Sequence, residues 1–347
     1  ATPEEQEVLS RYVGWGSLPQ AFEEKNTTWA NEYLELKAAL SPEEYASARE
    51  STLTAFYTPP TVIRAMYQAL SQMGFSTGNI LEPACGTGHF FGMLPEGMKG
   101  SKIYGVELDS ITGRIAQQLY QQSNIAVQGF ERTELPDSFF DAVIGNVPFG
   151  QFKVPDKRYD KQNWLIHDYY FGKALDKVRS GGVVAFITSK GTMDKENPAV
   201  RRYIAQRADL LGAIRLPNNT FQKNAGTEVT SDILFFQKRD RMTQQEPEWV
   251  HLDTDENGVP MNRYFIEHPE MMLGDMQMVS GPYGPESACV PYENADLETL
   301  LQEAIANIHA EISPYELDDL ADEDEDNSIP ADPAVRNFSY TVVDGRL

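Results

Sequence analysis

From about residue 51 to residue 240 the chain alternates between short apolar runs and amphipathic segments, and this alternation constrains the fold more than any other feature. Seven of the apolar runs have the length and composition of buried strands. They lie at residues 79–84, 102–107, 124–127, 139–145, 182–188, 210–216 and 231–238. Strands that alternate with helices predict an α/β fold with a mostly parallel sheet and helices on both faces. Ligands of such sheets bind at the carboxyl ends of the strands, near the point where the strand order reverses.

Two of the intervening helices are well marked. Residues 61–73 carry apolar side chains on one helical face, and residues 163–179 repeat an apolar side chain every four positions. We expect the second helix to end at Gly181-Gly182, because glycine is the usual residue just after a helix C-terminus. Residues 1–50 are also typical of helix, with a capping pattern that starts at Ser41.

Charge divides the chain into unequal parts. The 347 residues carry 29 Lys and Arg against 52 Asp and Glu, a net charge of −23, and residues 240–347 alone contribute −21. We therefore expect a helical N-terminal extension (1–50), an α/β domain that carries the site (51–240) and an acidic C-terminal extension (241–347) that is partly linker-like. The acidic run at 316–326 is typical of a solvated linker, with a DNA-mimicking surface as the alternative.

Composition excludes several classes of protein. No apolar run approaches the roughly 18–20 residues that cross a bilayer, so we expect no membrane partner. Cys85 and Cys289 are too few for a disulfide framework or a multi-cysteine zinc site, and we expect no metal. No export signal opens the chain, which favours the cytoplasm. The first residue is Ala rather than Met, so we expect a segment of a longer polypeptide.

A glycine-containing turn follows the first strand. Gly86 and Gly88 let the backbone turn sharply and approach a ligand closely, although an ordinary tight turn has the same pattern. Phe91 stands where a dinucleotide fingerprint has its third glycine, which disfavours a pyrophosphate cofactor. Glu107 closes the next strand, where a carboxylate can accept the hydroxyl protons of a ribose. The pattern indicates a nucleoside cofactor without a tightly bound diphosphate, and S-adenosylmethionine fits that description.

The most informative stretch is Asn146-Val147-Pro148-Phe149, at the end of the fourth strand. The exocyclic amine of a base is a poor nucleophile because its lone pair is delocalised into the ring. A site that alkylates it must hold both N–H groups with acceptors, and the Asn146 side-chain oxygen and the Val147 carbonyl are suitable ones. Phe149 can stack on an extruded base. The alternative is a strand-end turn with a hydrophobic anchor.

These residues resemble those of a known family. The segment from Glu82 to Gly88 resembles motif I of class I S-adenosylmethionine-dependent methyltransferases, and residues 146–149 resemble motif IV of amino-directed DNA methyltransferases. Phe56-Tyr57-Thr58-Pro59-Pro60 resembles motif X, which borders the cofactor. The order X, I, IV is that of the gamma group of N6-adenine enzymes. Residues 10–240 as a whole resemble the methylase portion of large methylase–helicase proteins of conjugative elements and phages.

The resemblance implies a Rossmann-like methyltransferase, bacterial or phage-encoded, that uses S-adenosylmethionine to methylate the N6 amine of a flipped-out adenine in DNA. It implies a helicase region of the same longer polypeptide as a further partner. The residues that it implies for the cofactor are Tyr57, Thr58, Glu82, Ala84, Gly86, Gly88, Glu107 and Phe130. The residues that it implies for catalysis are Asn146, Val147, Pro148 and Phe149.

The chain departs from the family pattern at two positions. The motif III segment, residues 127–131, lacks the Asp that commonly holds the adenine of the cofactor, and Val147 replaces the usual first proline of motif IV. By the same resemblance Phe221 is the motif VIII aromatic that covers the other face of the substrate base, with an ordinary core phenylalanine as the alternative.

Residues 151–161 follow motif IV and mix basic with aromatic side chains. Lys153 and Arg158 are candidate contacts to DNA phosphate, although a solvated loop would have the same composition. His167-Asp168 could suggest acid–base chemistry, but amine methylation needs no strong base, so helix packing or a loop anchor is favoured.

Two other functions remain open. Amine methyltransferases that act on RNA or on protein glutamine share loops like 146–149. The other alternative is a non-catalytic module that binds the cofactor or DNA within a larger antirestriction or transfer protein. Val147, the missing motif III Asp and the acidic C-terminal region motivate it.

Overall fold

The computed structural model describes residues 1–16, 18–52, 57–222, 228–281 and 284–312. The motif X residue Phe56 and the acidic run at 316–326 lie outside the described residues. The strands of the main sheet are β1 (Asn79–Glu82), β2 (Lys102–Glu107), β3 (Asn124–Val127), β4 (Phe140–Asn146), β5 (Val178–Ser189), β6 (Ala208–Leu216) and β7 (Ser231–Lys238). The helices that precede or connect them are α1 (Pro3–Leu9), α2 (Ala30–Ala39), α3 (Pro42–Ser51), α4 (Pro60–Gln72), α5 (His89–Gly92), α6 (Ser110–Leu119), α7 (Ile166–Lys177), α8 (Gly191–Asp194) and α9 (Ala199–Arg207).

The seven strands form one sheet in the order β3-β2-β1-β4-β5-β7-β6, which confirms the mostly parallel sheet expected from the sequence. Strand β7 is antiparallel to both neighbours, and the other pairs are parallel. The chain builds outward from β1 to β3 and then returns to place β4 on the other side of β1. The strand order therefore reverses between β1 and β4, where the ends Glu82 and Asn146 face the same edge.

Burial explains why the sheet is central. Consecutive residues of β4, β5 and β7 are buried, as expected for strands that are covered on both faces. Helix α7 is buried along nearly its whole length. It packs against β5, and its two buried lysines turn their amines to polar groups: Lys173 donates to the Phe130 carbonyl at 2.7 Å and Lys177 donates to Asp137 at 2.7 Å.

The expected end of helix α7 at Gly181-Gly182 is wrong. The helix ends at Lys177, and the chain enters β5 at once. The pairing of β5 with β4 shifts register between Val178 and Val183, and Gly181 takes a φ of +74° within this bulge. The two glycines thus allow an irregular strand rather than a helix cap, and the sequence pattern does not distinguish the two uses.

Residues 1–16 and 18–52 form the N-terminal segment. It has a small apolar cluster of its own, which includes Phe22 and Tyr45. The expected capping box is confirmed, because Ser41 and Glu44 exchange side-chain-to-backbone hydrogen bonds at the start of α3. The segment lies along α6, and one of the contacts is the hydrogen bond from Ser47 Oγ to Asp109 Oδ1, 3.2 Å long.

Beyond the main sheet the chain adds β8 (Leu252–Thr254), β9 (Pro260–Asn262), α10 (Arg263–Glu267), the hairpin of β10 (Gly274–Gly281) and β11 (Gly284–Pro291), and α11 (Leu297–Ala306). Trp249, Phe265 and Leu301 belong to the same buried core as the sheet, and α11 packs against α4. No helix in the described part of the chain is long and apolar enough to cross a membrane.

Candidate active site

A cavity of about 600 Å³ opens at the carboxyl ends of β1, β2 and β4. Its volume is within the range of roughly 300–1,000 Å³ that is usual for small-molecule sites. Ten of the residues singled out from the sequence line it. They are Tyr57, Thr58, Glu82, Ala84, Gly86, Glu107, Phe130, Asn146, Pro148 and Lys153.

The turn after β1 forms one wall. Gly86 has a φ of +55°, and a Cβ built on it meets no described atom within 4 Å, so this side of the backbone faces open space. Its N–H donates to Glu107 Oε2 at 2.8 Å, while Glu107 Oε1 accepts the N–H of Asp109 at 2.8 Å. Gly88 has another use, since a Cβ there would lie 2.5 Å from the ring of Tyr120. Gly88 therefore permits close packing and does not line the cavity.

Two carboxylates face the cavity from neighbouring strands. Burial raises the pKa of Glu107 to about 7, against the opposing effect of the two backbone N–H donors. Burial also raises the pKa of Glu82 well above its usual value, and the nearby Glu107 charge adds to the effect. Glu82 Oε2 is buried without a hydrogen-bond partner among the residues that the structure describes. Such an oxygen is costly unless a donor reaches it.

Asn146 ends β4 with its amide at the cavity. Its Nδ2 donates to Thr58 Oγ1 at 3.2 Å, and Oδ1 is buried with no partner within the described ranges. Val147 is buried, and its N–H donates to the Ile187 carbonyl at 3.1 Å, which ties the loop to β5. The side-chain oxygen of Asn146 is thus a buried acceptor, on a residue that lines the cavity, whose hydrogen-bonding capacity is unused within the described ranges.

Four further residues expected at the site do not line the cavity. Phe149 is half-buried and Val147 points its side chain into the core. Phe221 is only 2 % exposed and packs in the core. Arg158 bonds to Asp137 at 2.7 Å and to Asp176 at 2.8 Å, so its charge is used within the protein.

Other residues that line the cavity were not identified from the sequence. Glu50 and Ser51 come from α3, His89 follows the glycine turn, and Glu131 and Phe152 lie on the loops after β3 and β4. Glu131 lies in the motif III segment, where a search for any carboxylate rather than for Asp would have found it. The contribution of α3 has no local signal, because it depends on the contacts between residues 1–52 and α6.

His167 and Asp168 lie outside the cavity lining. Both side chains are buried, and Asp168 Oδ2 accepts a hydrogen bond from Lys195 at 2.8 Å, which links α7 to the chain after α8. Burial lowers the pKa of His167. The arrangement is that of a packed anchor between two elements.

The strand order, the antiparallel β7 and a cavity at the switch between β1 and β4 define the class I methyltransferase fold. The chain belongs to the N-6 DNA methylase family, whose match covers residues 42–264.

Individual relatives agree with this assignment. The chain is 30% identical over 209 residues to the defense against restriction protein B of Escherichia phage P1, a match that covers 58% of this chain and 9% of that protein. It is 26% identical over 216 residues to the methylase subunit of the type I restriction enzyme EcoEI of Escherichia coli, covering 53% of this chain and 42% of the subunit. The chain thus spans less than half of the length of these relatives.

Among solved structures, the M protein of the type I restriction enzyme EcoKI superposes with a TM-score of 0.42 at 17% identity, covering 68% of this chain and 59% of that one.

The cofactor of such methyltransferases, S-adenosylmethionine, fits the residues present. It carries an ammonium group and two ribose hydroxyls, which are donors for buried carboxylates such as Glu82 and Glu107. Gly86 leaves space for a close approach to the backbone.

No group of three or more metal-ligating side chains occurs within the described ranges.

Proposed function

We propose that this chain transfers a methyl group from S-adenosylmethionine to the N6 amine of adenine in DNA. The observation that carries the proposal is the buried Oδ1 of Asn146, which has no partner within the described ranges and belongs to a residue that lines the same cavity as two carboxylates suited to the cofactor. An acceptor fixed at the end of β4 is what the amine of a base requires, since both of its N–H groups must be held while its nitrogen attacks.

Each residue has a defined task in this reaction. When bound, the cofactor supplies an electrophilic methyl group on its sulfonium sulfur. Asn146 Oδ1 accepts one N–H of the adenine amine, and the Val147 carbonyl is proposed to accept the other. Thr58 holds the amide of Asn146 in place, because Nδ2 donates to its hydroxyl. Phe149 is proposed to stack on the base, and the proton leaves the amine after the attack.

The context of the reaction is also a proposal. The phage P1 relative is far longer than this chain, and the EcoEI relative is a methylase subunit of a restriction enzyme. We expect the chain to act in the cytoplasm within a longer polypeptide, with a helicase region or further subunits presenting the DNA.

The test is incubation of the purified chain with S-adenosylmethionine and unmethylated DNA, single-stranded and duplex, followed by digestion to nucleosides and mass spectrometry. We expect N6-methyladenine from the parent and a loss on the order of 100-fold with Asn146→Ala. The matched control is Asn124→Ala, at an exposed asparagine at the start of β3, which should retain the parent activity. Equal activity of all three proteins would contradict the role of Asn146.

A non-catalytic module is the second candidate, favoured by Val147 in motif IV and by the antirestriction name of the phage relative. Calorimetry separates it from the first. A module binds S-adenosylmethionine or DNA but yields no methylated base, and RNA and glutamine-containing peptides in the same assay test the remaining amine substrates.

A further inference from the structure

A second cavity, of about 400 Å³, opens beside the first and is called the outer cavity here. The two cavities share the wall formed by residues Lys153 to Pro155, which follow the motif IV loop. Tyr159, Trp164 and Tyr169 line the rest of the outer cavity together with Asp160 and Asn163. A ligand long enough to cross a three-residue wall can therefore occupy both.

The aromatic rings of the outer cavity are held rigidly. Tyr159 and Trp164 stack with an angle of 27° between their planes. The hydroxyl of Tyr159 donates to Asp176 at 2.6 Å, and that of Tyr169 donates to Asp156 at 2.8 Å. All three side chains are at most 9 % exposed and already ordered, so a ligand that touches their exposed atoms causes little further loss of side-chain entropy.

Phe152 lies at the junction of the two cavities. It lines the first cavity, directly precedes the shared wall, and is 40 % exposed, although a large apolar side chain is usually more deeply buried. Its carbonyl accepts the N–H of Ile166 at 2.9 Å, which fixes the backbone and leaves the ring at the surface. An exposed aromatic ring on a fixed backbone, beside both cavities, is suited to stacking.

The segment that lines the outer cavity carries charged side chains of both signs. Lys157 and Lys161 are exposed and form no ion pair with any residue in the described part of the chain, and Lys153 donates to Asn163 at 2.5 Å on the wall. Asp160 lines the outer cavity with an exposed carboxylate, which repels a phosphate. Its Oδ1 accepts the N–H of Asp156 at 2.9 Å, and its other oxygen can accept an N–H of a base. The arrangement therefore suits a base within the cavity and phosphates along the lysines.

We propose that the outer cavity and Phe152 bind the nucleotide next to the target adenine, so that the substrate strand is unpaired at two adjacent positions. This inference rests on the proposed function and specifies its substrate as locally single-stranded DNA. Phe152 divides the two bases, and the wall from Lys153 to Pro155 separates their cavities.

The experiment measures binding of the full chain to a fluorescein-labelled single-stranded oligonucleotide with one adenine, by anisotropy. Two further oligonucleotides carry an abasic residue on the 5′ or the 3′ side of the adenine. We expect one of the abasic residues to weaken binding by the parent about tenfold, as loss of one stacked base does. Phe152→Ala should bind the intact oligonucleotide about tenfold more weakly and should no longer discriminate against that abasic residue.

The matched control is Phe139→Ala, because Phe139 is 37 % exposed but lines neither cavity. It should bind like the parent. Asp160→Asn, at an exposed position, is a second variant that keeps the proposal testable if Phe152→Ala fails to fold. It should alter the preference for the neighbouring base. Equal binding of intact and abasic oligonucleotides by the parent overturns the outer-cavity proposal, whatever the variants do.

The two proposals fail in different ways. Formation of N6-methyladenine without any effect of the neighbouring base refutes the outer cavity alone. Absence of both DNA binding and methylation refutes the two together, and binding with the expected discrimination but without methylation refutes the catalytic proposal and retains the subsite.

Discussion

At the residue scale, two carboxylates determine the charge of the cavity, and their ionisation depends on what binds beside them. Each oxygen of Glu107 accepts a hydrogen bond from a backbone N–H, and burial still raises the pKa of this carboxyl to about 7. Glu82 has an oxygen with no partner in the described ranges. A cationic, hydroxyl-bearing ligand favours the ionised form of both groups.

This predicts a pH-dependent affinity for S-adenosylmethionine. Below about pH 7 Glu107 is protonated in the free protein, so binding must displace a proton. The Kd should therefore rise about tenfold for each unit by which the pH falls below 7. Above pH 7 the carboxylate is already ionised, and its contribution to the pH dependence disappears. Calorimetry between pH 5.5 and 8 measures the effect, and Glu107→Gln should bind more weakly and lose this contribution. A parent Kd that stays constant from pH 5.5 to 7 would contradict it.

The two glycines of the turn after β1 should respond differently to substitution. Gly86→Ala places a methyl group in open space at a φ of +55°, so it should cost about 1 kcal/mol of folding free energy and weaken cofactor binding. Gly88→Ala also forces a contact with Tyr120, which adds about 1–3 kcal/mol of overpacking. Urea unfolding should show the larger loss of folding free energy for Gly88→Ala, and cofactor titrations should show weaker binding by Gly86→Ala.

At the element scale the N-terminal segment contributes residues to the lining of the first cavity. Glu50 and Ser51 line the cavity, Tyr12 reaches Thr112 at 3.3 Å, and Tyr57 lies against the backbone of Gly14. The segment therefore covers the start of α6, close to the carboxylate that ends β2.

Gly14→Ala tests this covering. At a φ of +72° its Cβ would lie 2.5 Å from the hydroxyl of Tyr57, which must then move within the cavity. We expect the Kd for S-adenosylmethionine to rise about tenfold, equivalent to about 1.4 kcal/mol. Gly258→Ala has a similar φ of +80° and no described atom within 4 Å of the new Cβ, so it reproduces the backbone strain alone. Equal cofactor affinities for the two variants would argue against the covering.

Elements differ in how far the sequence predicts them. All seven strands of the main sheet were anticipated, because each contains a short apolar run. The hairpin of β10 and β11 was not, since Gly and Pro at its strand ends obscure the pattern. Of the site, the residues on the turns after β1, β2 and β4 were predicted from local motifs. The residues from α3 depend on tertiary contacts that no local pattern encodes.

At the scale of the whole molecule, one buried ion cluster links the main sheet to the chain that follows it. Arg215 on β6 bonds to Asp232 on β7 at 2.8 Å and to Asp194 at 2.9 Å, and its guanidinium lies 4.1 Å from the ring centre of Phe265. Asp194 also accepts the N–H of Asn262 at 2.9 Å. Asn262 and Phe265, which follow the main sheet in the chain, are thereby joined to it by a charged cluster as well as by apolar packing.

Arg215→Met should therefore be strongly destabilising. It leaves two buried carboxylates without their cation, a change that costs about 3–5 kcal/mol. Arg239→Met removes the ion pair with Asp209, which is partly exposed, and should cost less than about 1 kcal/mol. Urea denaturation of the two variants provides the comparison, and similar midpoints would show that the buried cluster contributes little.

The burial of both cysteines has a practical consequence for studying motion. Cys85 and Cys289 are buried, Cys85 within the lining of the first cavity, and burial raises the pKa of both thiols, that of Cys289 to about 12. At neutral pH neither should react readily with maleimide dyes, since the thiolate is the reactive form. The native sequence is thus already a background for site-specific labelling. A dye pair on cysteines introduced at exposed Leu34 and Lys157 would follow, molecule by molecule, whether the N-terminal segment and the loop after β4 approach each other when ligands bind.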